Sequence, residues 1–175
     1  MPSLPDRIEV IRRTPASGAL ARQDSLTAAF GPGPWLVVSP HDDDIILGMG
    51  MLIAAAREEG IAVHAAIISD GSMGYVDPAA RETIVETRRQ ELNTALEQLG
   101  LSSEAIHWLG FPDGALVHHE GCNRDGTGLG QRLTGLLRKT GARVAFGPTP
   151  RDLHPDHRVT SRELDMACCW ISRSI

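Results

Sequence analysis

The chain is poor in aromatic residues: three Trp, three Phe and one Tyr make up 4% of its 175 residues. Single-stranded nucleic acid is held on aromatic faces, and too few are present to build such a platform. A basic excess is also missing. Seventeen Lys and Arg stand against 22 Asp and Glu, a formal net charge of -5. That is not the electrostatic footprint of a DNA- or RNA-binding domain, so no nucleic-acid partner is expected. Cysteine is scarce and odd in number, with Cys122, Cys168 and Cys169 alone. This excludes a disulfide framework, and no pair has the spacing of a zinc knuckle. The longest apolar run, Ile45–Ala56, is too short for a membrane span and reads as a buried helix. The opening residues show no charged start followed by an apolar stretch. No secretory leader is therefore expected, and the expected location is the cytoplasm. There is no internal repeat and no low-complexity tract.

What is present is an ordinary globular composition, 42% apolar and 22% charged. A chain of this length corresponds to one domain and buries roughly 70% of its unfolded surface. Residues 1–33, rich in Pro, Gly and Ser, read as an N-terminal arm with a short helix near Ser25–Phe30. Residues 34–175 read as a single domain. Within it, short β-branched or apolar runs predict strands over Trp35–Ser39, Ile61–Ser69, Ile106–Leu109 and Arg143–Gly147. Amphipathic or apolar stretches predict helices over Asp44–Glu59, Ala80–Leu99, Gly128–Thr140 and Val159–Ile171. Gly60, Gly100 and Gly141 close the first three. Strands alternating with helices imply an α/β fold with a parallel sheet covered on both faces. Ligands of such sheets bind at the carboxyl ends of the strands.

Two polar clusters sit at such ends. The first, Ser39-Pro40-His41-Asp42-Asp43-Asp44, leaves the first predicted strand and opens a helix. One Asp there is explained as a helix cap. Three beside a histidine are not, because like charges so close repel unless something positive lies among them. His41 and Asp44 are three apart, and at a strand-to-helix turn both can face one point. The second cluster, Asp152-Leu153-His154-Pro155-Asp156-His157, follows the fourth predicted strand. Taken alone it also fits a polar helix cap with surface histidines. Taken together, the clusters offer one crevice the imidazole and carboxylate ligands that suit zinc. Three protein ligands plus a water is the catalytic pattern.

These residues resemble the PIG-L/LmbE family of zinc-dependent de-N-acetylases. That family carries an A/S-H-P-D-D-E segment after its first strand and an H-P-D-H segment about a hundred residues on. Ser69-Asp70-Gly71, Arg88-Arg89-Gln90-Glu91-Leu92 and Leu109-Gly110-Phe111-Pro112-Asp113-Gly114 fit its texture, and the resemblance covers about residues 35–170. It implies a Rossmann-like three-layer α/β fold with a mostly parallel sheet, shortened at the C-terminus. By the same resemblance His41, Asp44 and His157 match the zinc ligands. Asp43 matches the general base that takes a proton from the attacking water. His154 matches the residue that steadies the oxyanion, with Asp156 orienting it. Arg88 matches a substrate-contacting arginine. The implied activity is removal of an acetyl group from an N-acetylglucosamine-type sugar or glycoconjugate.

The sequence departs from the pattern in three ways. Asp42 stands where the family has proline, and Ile45 where it has glutamate. The family usually continues well past H-P-D-H, which leaves three readings: a trimmed variant, a fragment, or a subunit whose neighbour completes the pocket. In the last case apolar residues near Met166–Ile171 would mark a contact in a homo-oligomer. Two alternatives keep the metal and change the bond, an amidase of thiol-sugar conjugates or another metal hydrolase such as a phosphoesterase. A third is a non-catalytic sugar- or partner-binding module, and a fourth a nucleotide-binding α/β domain. Gly71–Gly74 lacks the G-x-G-x-x-G spacing of a dinucleotide site. His118, His119 and Glu120 read as part of a solvated loop, with a substrate lid as the alternative. His64 and His107 read as core histidines, and Cys168 and Cys169 as core packing.

Overall fold

The computed structural model describes residues 11–13, 18–123 and 125–172. A small antiparallel pair, β1 (Ile11–Arg13) and β2 (Leu20–Arg22), comes first. There follow α1 (Leu26–Phe30), β3 (Trp35–Ser39), α2 (Asp42–Glu58), β4 (Val63–Ser69), α3 (Ile84–Gln98) and β5 (Ile106–Phe111). Then come α4 (Leu129–Thr140), β6 (Val144–Phe146) and α5 (Pro155–Ser172). The main sheet has the order β5-β4-β3-β6, with every pairing parallel. The α/β reading holds.

The strands read as unbroken apolar runs because both sheet faces are covered. Trp35, Val37, Ala65 and Ile67 face one way and pack on Ile45 and Ile53 of α2 and on Leu92 and Leu96 of α3. Leu36, Val38, Ala66 and Ile68 face the other way, onto Leu129, Leu133 and Leu137 of α4 and Leu164 of α5. The last stretch of the predicted arm is docked on this body. Ser25 Oγ caps α1 at Ala28 N, 3.0 Å, and Leu26 N donates to the Glu59 carboxylate at 3.0 Å. Phe30, Trp35 and Phe146 meet edge to face beside it.

Four expectations need correction in whole or in part. Helix α5 begins one turn earlier than predicted, at Pro155, because proline's fixed φ and missing N–H suit a first helical turn. Asp156 and His157 are therefore held by a helix rather than by a loop. Helix α2 is buried on one face only. Leu47 and Met51, one turn apart, are 83% and 62% exposed. The His118–Glu120 stretch reaches solvent as expected, with His118 exposed and His119 and Glu120 half-buried, but it is anchored at both ends. Leu116–His119 form a short 3-10 helix with Leu116 fully buried, and Gly121 N donates to the buried Glu163 carboxylate at 2.9 Å. Cys168 is partly buried and Cys169 exposed, so only the first packs as expected. No helix among the described residues is long and apolar enough to cross a membrane.

The chain order fixes where a ligand can sit. From β3 the chain builds outward through β4 and β5, then returns to place β6 on β3's other side. The connections leaving β3 and β6 diverge and open a crevice at that switch point. Both polar clusters lie there.

Candidate metal centre

His41 is the N-cap residue of α2, with no side-chain capping bond, so its ring is free to turn across the strand ends. Asp42, Asp43 and Asp44 fill the first turn of α2, where the positive end of the helix dipole favours carboxylates. His157 arrives on the first turn of α5. His41 Nδ1 lies 3.0 Å from Asp44 Oδ2, His157 Nε2 lies 3.0 Å from the same oxygen, and the two ring nitrogens are 3.3 Å apart. Donor atoms bound to one tetrahedral zinc-sized ion lie about 3.4 Å apart, so this triangle closes around a divalent ion with little movement.

The far ring nitrogens explain which way the near ones face. His157 Nδ1 donates to Asp152 Oδ2 at 2.9 Å. His41 Nε2 faces Asp113 Oδ1 at 3.3 Å and Asp156 Oδ2 at 3.4 Å. With an ion at the centre, each imidazole would give its N–H to a carboxylate and turn a lone pair to the ion, the usual support of a metal-bound histidine. Burial penalises a charged His41 ring, but the hydrogen bonds to Asp113 and Asp44 outweigh it, and its pKa is pushed up to about 10. Burial likewise opposes ionisation of Asp44, yet His41 and His157 hold its pKa below the usual value. The bond from His41 does the same for Asp113. The crevice calls for positive charge at its centre.

His154 is exposed at the rim, its ring centroid 4.8 Å from that of His41 and 5.1 Å from that of His157. Its Nδ1 accepts the Asp156 backbone N–H at 3.2 Å, so in the neutral ring the proton is on Nε2, free to donate. Besides that triangle, two further groups among the described residues could gather an ion: His41, His154 and His157, or His41, Asp113 and Asp156. Asp43 is 57% exposed at the mouth, with Oδ2 3.3 Å from Arg88 Nη2.

Two expected contacts differ. The Asp156 carboxylate, 1% exposed, does not reach His154. It accepts Gly114 N at 2.8 Å and Leu116 N at 3.2 Å, so it ties the loop after β5 to α5 and stands behind His41. Arg88 does not stand open to a ligand, because the Asp42 carboxylate takes its guanidinium bidentately at 2.6 and 2.5 Å. Ile45 is 1% exposed and packs in the core, and it also lines the cavity beside Asp44, Asp152 and His157, so an apolar side chain stands there where the family has glutamate.

The family model described as PIG-L, GlcNAc-PI de-N-acetylase, matches residues 36–168. The chain belongs to this family. It is similar to a diacetylchitobiose deacetylase of Thermococcus kodakarensis, with 30% identity over 70% of this chain and 44% of that protein. It is also similar to a probable N-acetyl-alpha-D-glucosaminyl L-malate deacetylase of Bacillus cereus, with 29% identity over 73% of this chain and 57% of that one. Among solved structures, the N,N'-diacetylchitobiose deacetylase of Pyrococcus horikoshii superposes with a TM-score of 0.68. It is 29% identical, covering 78% of this chain and 49% of that one. The chain spans about half the length of the relatives it matches. Within the PIG-L frame, the supporting carboxylates Asp113 and Asp152 had no role assigned from sequence. Each lay inside a quoted stretch, but a carboxylate that acts through a histidine elsewhere in the chain leaves no spacing signal.

Proposed function

We propose that this chain carries the active site of a zinc-dependent de-N-acetylase, acting on an N-acetylglucosamine-type sugar or glycoconjugate. The observation that supports this best is the triangle of His41 Nδ1, Asp44 Oδ2 and His157 Nε2, backed on both histidines by carboxylates. These three residues would hold the ion. A zinc ion in such a set lowers the pKa of a coordinated water toward ~7 and polarises a carbonyl as a Lewis acid.

The chain's own groups supply the proton traffic. Asp43, at the mouth, accepts the proton of the attacking water as its oxygen bonds to the acetyl carbon. His154 Nε2–H donates toward the oxygen on which negative charge develops, an interaction worth ~3–4 kcal/mol in comparable sites. As the C–N bond breaks, the leaving amine takes a proton from Asp43, now an acid, or from His154. The products are acetate and a free amino sugar. Asp113, Asp152 and Asp156 keep the histidines in their tautomers and orientation. Residues 34–175 would form the unit that carries this site, with the arm before it.

The test is acetate release from N-acetylated sugars by zinc-loaded protein. Asp43→Ala should lower kcat by ~10²–10⁴-fold while one zinc per chain remains bound. Full activity in that variant would remove Asp43 as the base. Hydrolysis of phosphoesters with none of acetamides would select a phosphoesterase instead.

A further inference from the structure

The proline of the family pattern is Asp42 here, and the structure shows what that aspartate does. It is 5% exposed on the first turn of α2, facing Arg88 of α3. Arg88 Nε donates to Asp42 Oδ2 at 2.6 Å and Nη2 to Asp42 Oδ1 at 2.5 Å. Nη2 also faces Asp43 Oδ2 at 3.3 Å, and Nη1 donates to Gly74 O at 3.3 Å. A guanidinium has five N–H donors, and four are engaged. The seat is made to measure. A Cβ on Gly74 would come within 2.5 Å of Arg88 Nη1, and Gly71, at φ +70°, would bring one to 3.4 Å from Asp42 Oδ1.

Arginine recognises carboxylate and phosphate through two parallel N–H bonds from one fork. Here that fork is taken by the chain itself, and the one free N–H suits a single hydroxyl or carbonyl oxygen. The charge balance agrees. The cleft beside Asp43 presents Asp42, Asp43 and Glu91 against Arg88 alone. An anionic substituent would meet a cation already neutralised and a lining of three carboxylates to one guanidinium. Specificity is a difference of affinities, and such a repulsive element discriminates as well as an attractive one.

We propose that Asp42 is a specificity-determining residue: by occupying the fork of Arg88 it turns the site away from acylated sugars with an anionic substituent and toward uncharged ones. This rests on the proposed de-N-acetylase reading for its substrate class, but its test does not depend on turnover. The probes are N,N'-diacetylchitobiose, uncharged, and N-acetylglucosaminyl malate, dianionic. Their dissociation constants are measured calorimetrically on metal-free protein, and acetate release is followed separately on zinc-loaded protein. The wild type should bind the uncharged sugar at least tenfold more tightly. Asp42→Asn should shift the ratio toward the malate conjugate by about tenfold or more, and adding Arg88→Gln should return it to the wild-type value. Asp42→Pro, the family's residue, serves if Asp42→Asn does not fold, and should shift the ratio the same way. A wild type that prefers the malate conjugate, or that binds neither sugar, overturns the proposal. So does an unchanged ratio in a folded Asp42 variant. The expected binding pattern with no acetate released from either sugar would leave Asp42 in its role and sink the de-N-acetylase reading.

Discussion

At the residue scale, the crevice separates groups that meet a ligand from groups that hold them in place. Asp152 belongs to the second kind. It accepts His154 N at 2.9 Å and the His157 Nδ1 proton at 2.9 Å, so it fixes both the loop and the ring. Asp152→Asn keeps the shape but can offer an N–H where an acceptor is needed. The expected result is zinc affinity weakened by ~10–100-fold, read by competition with a chromophoric chelator, with the fold unchanged. Unaltered affinity would mean that His157 needs no such support. His41, Asp44 and His157 were brought together from sequence by the resemblance of the two clusters to the family's paired motifs, with the three-residue offset of His41 and Asp44 as the local signal, and the structure places the three side chains within 3.3 Å of one another. The partner of Arg88 was not, since Asp42 is 46 residues away in the chain and reads there as one more acid in a run. The side-chain contact expected of Asp156 was not legible for a similar reason: Asp156 meets the His154 ring through its backbone N–H, at 3.2 Å, and not through its carboxylate. Adjacency in H-P-D-H suggests that it touches His154, whereas the first turn of α5 aims its carboxylate across at Gly114 and Leu116.

At the scale of elements, the four strands of the main sheet were legible to within two residues, because a strand covered on both faces is an apolar run that stops where the chain turns polar, whereas β1 and β2 fall in the stretch read as an arm and were not foreseen. Helix starts were less so. The start of α5 hides behind Pro155, which reads as a breaker but serves as a first-turn residue. The neighbouring strands β4 and β5 carry a feature with a pH signature. His64 on β4 and His107 on β5 stack with centroids 5.4 Å apart, and His107 Nε2 lies 3.3 Å from His64 Nδ1. Burial lowers the pKa of each ring below its ordinary 6.5, and the charge of Lys139 on α4 adds to this. The folded chain therefore resists protons that the unfolded chain takes up as pH falls through 6.5. Stability from this pair is whole above that value and is lost progressively below it, toward the lowered folded values. Melting temperatures at pH 7.5 and 5.5 should show a drop on acidification, and the drop should be smaller in His107→Gln. An equal drop in both proteins would place the acid sensitivity elsewhere.

At the scale of the whole molecule, the sheet order matters more than any one element. The donors His41 and His157 are 116 residues apart in sequence and meet only because β6 returns to β3's free side. An ion bound at this point would therefore tie the strand β3 and helix α2 to the late element α5, across the crevice that the switch point opens. An ion that binds the folded chain and not the unfolded one stabilises it by mass action, ~2.7 kcal/mol at a hundredfold excess over Kd. For a chain of this size that corresponds to a rise of about 5–10 °C in melting temperature. The wild type should show this rise with zinc, and His157→Ala should not, because removing one donor opens the triangle while the α5 core contacts Val159 and Leu164 stay in place. A rise of equal size in His157→Ala would mean that the ion binds away from the crevice. No rise in the wild type would mean that the two clusters, although close, do not close on a metal in this chain. The body would then be a de-N-acetylase fold whose carboxylates and histidines satisfy one another, and the binding-module reading would take over from the catalytic one.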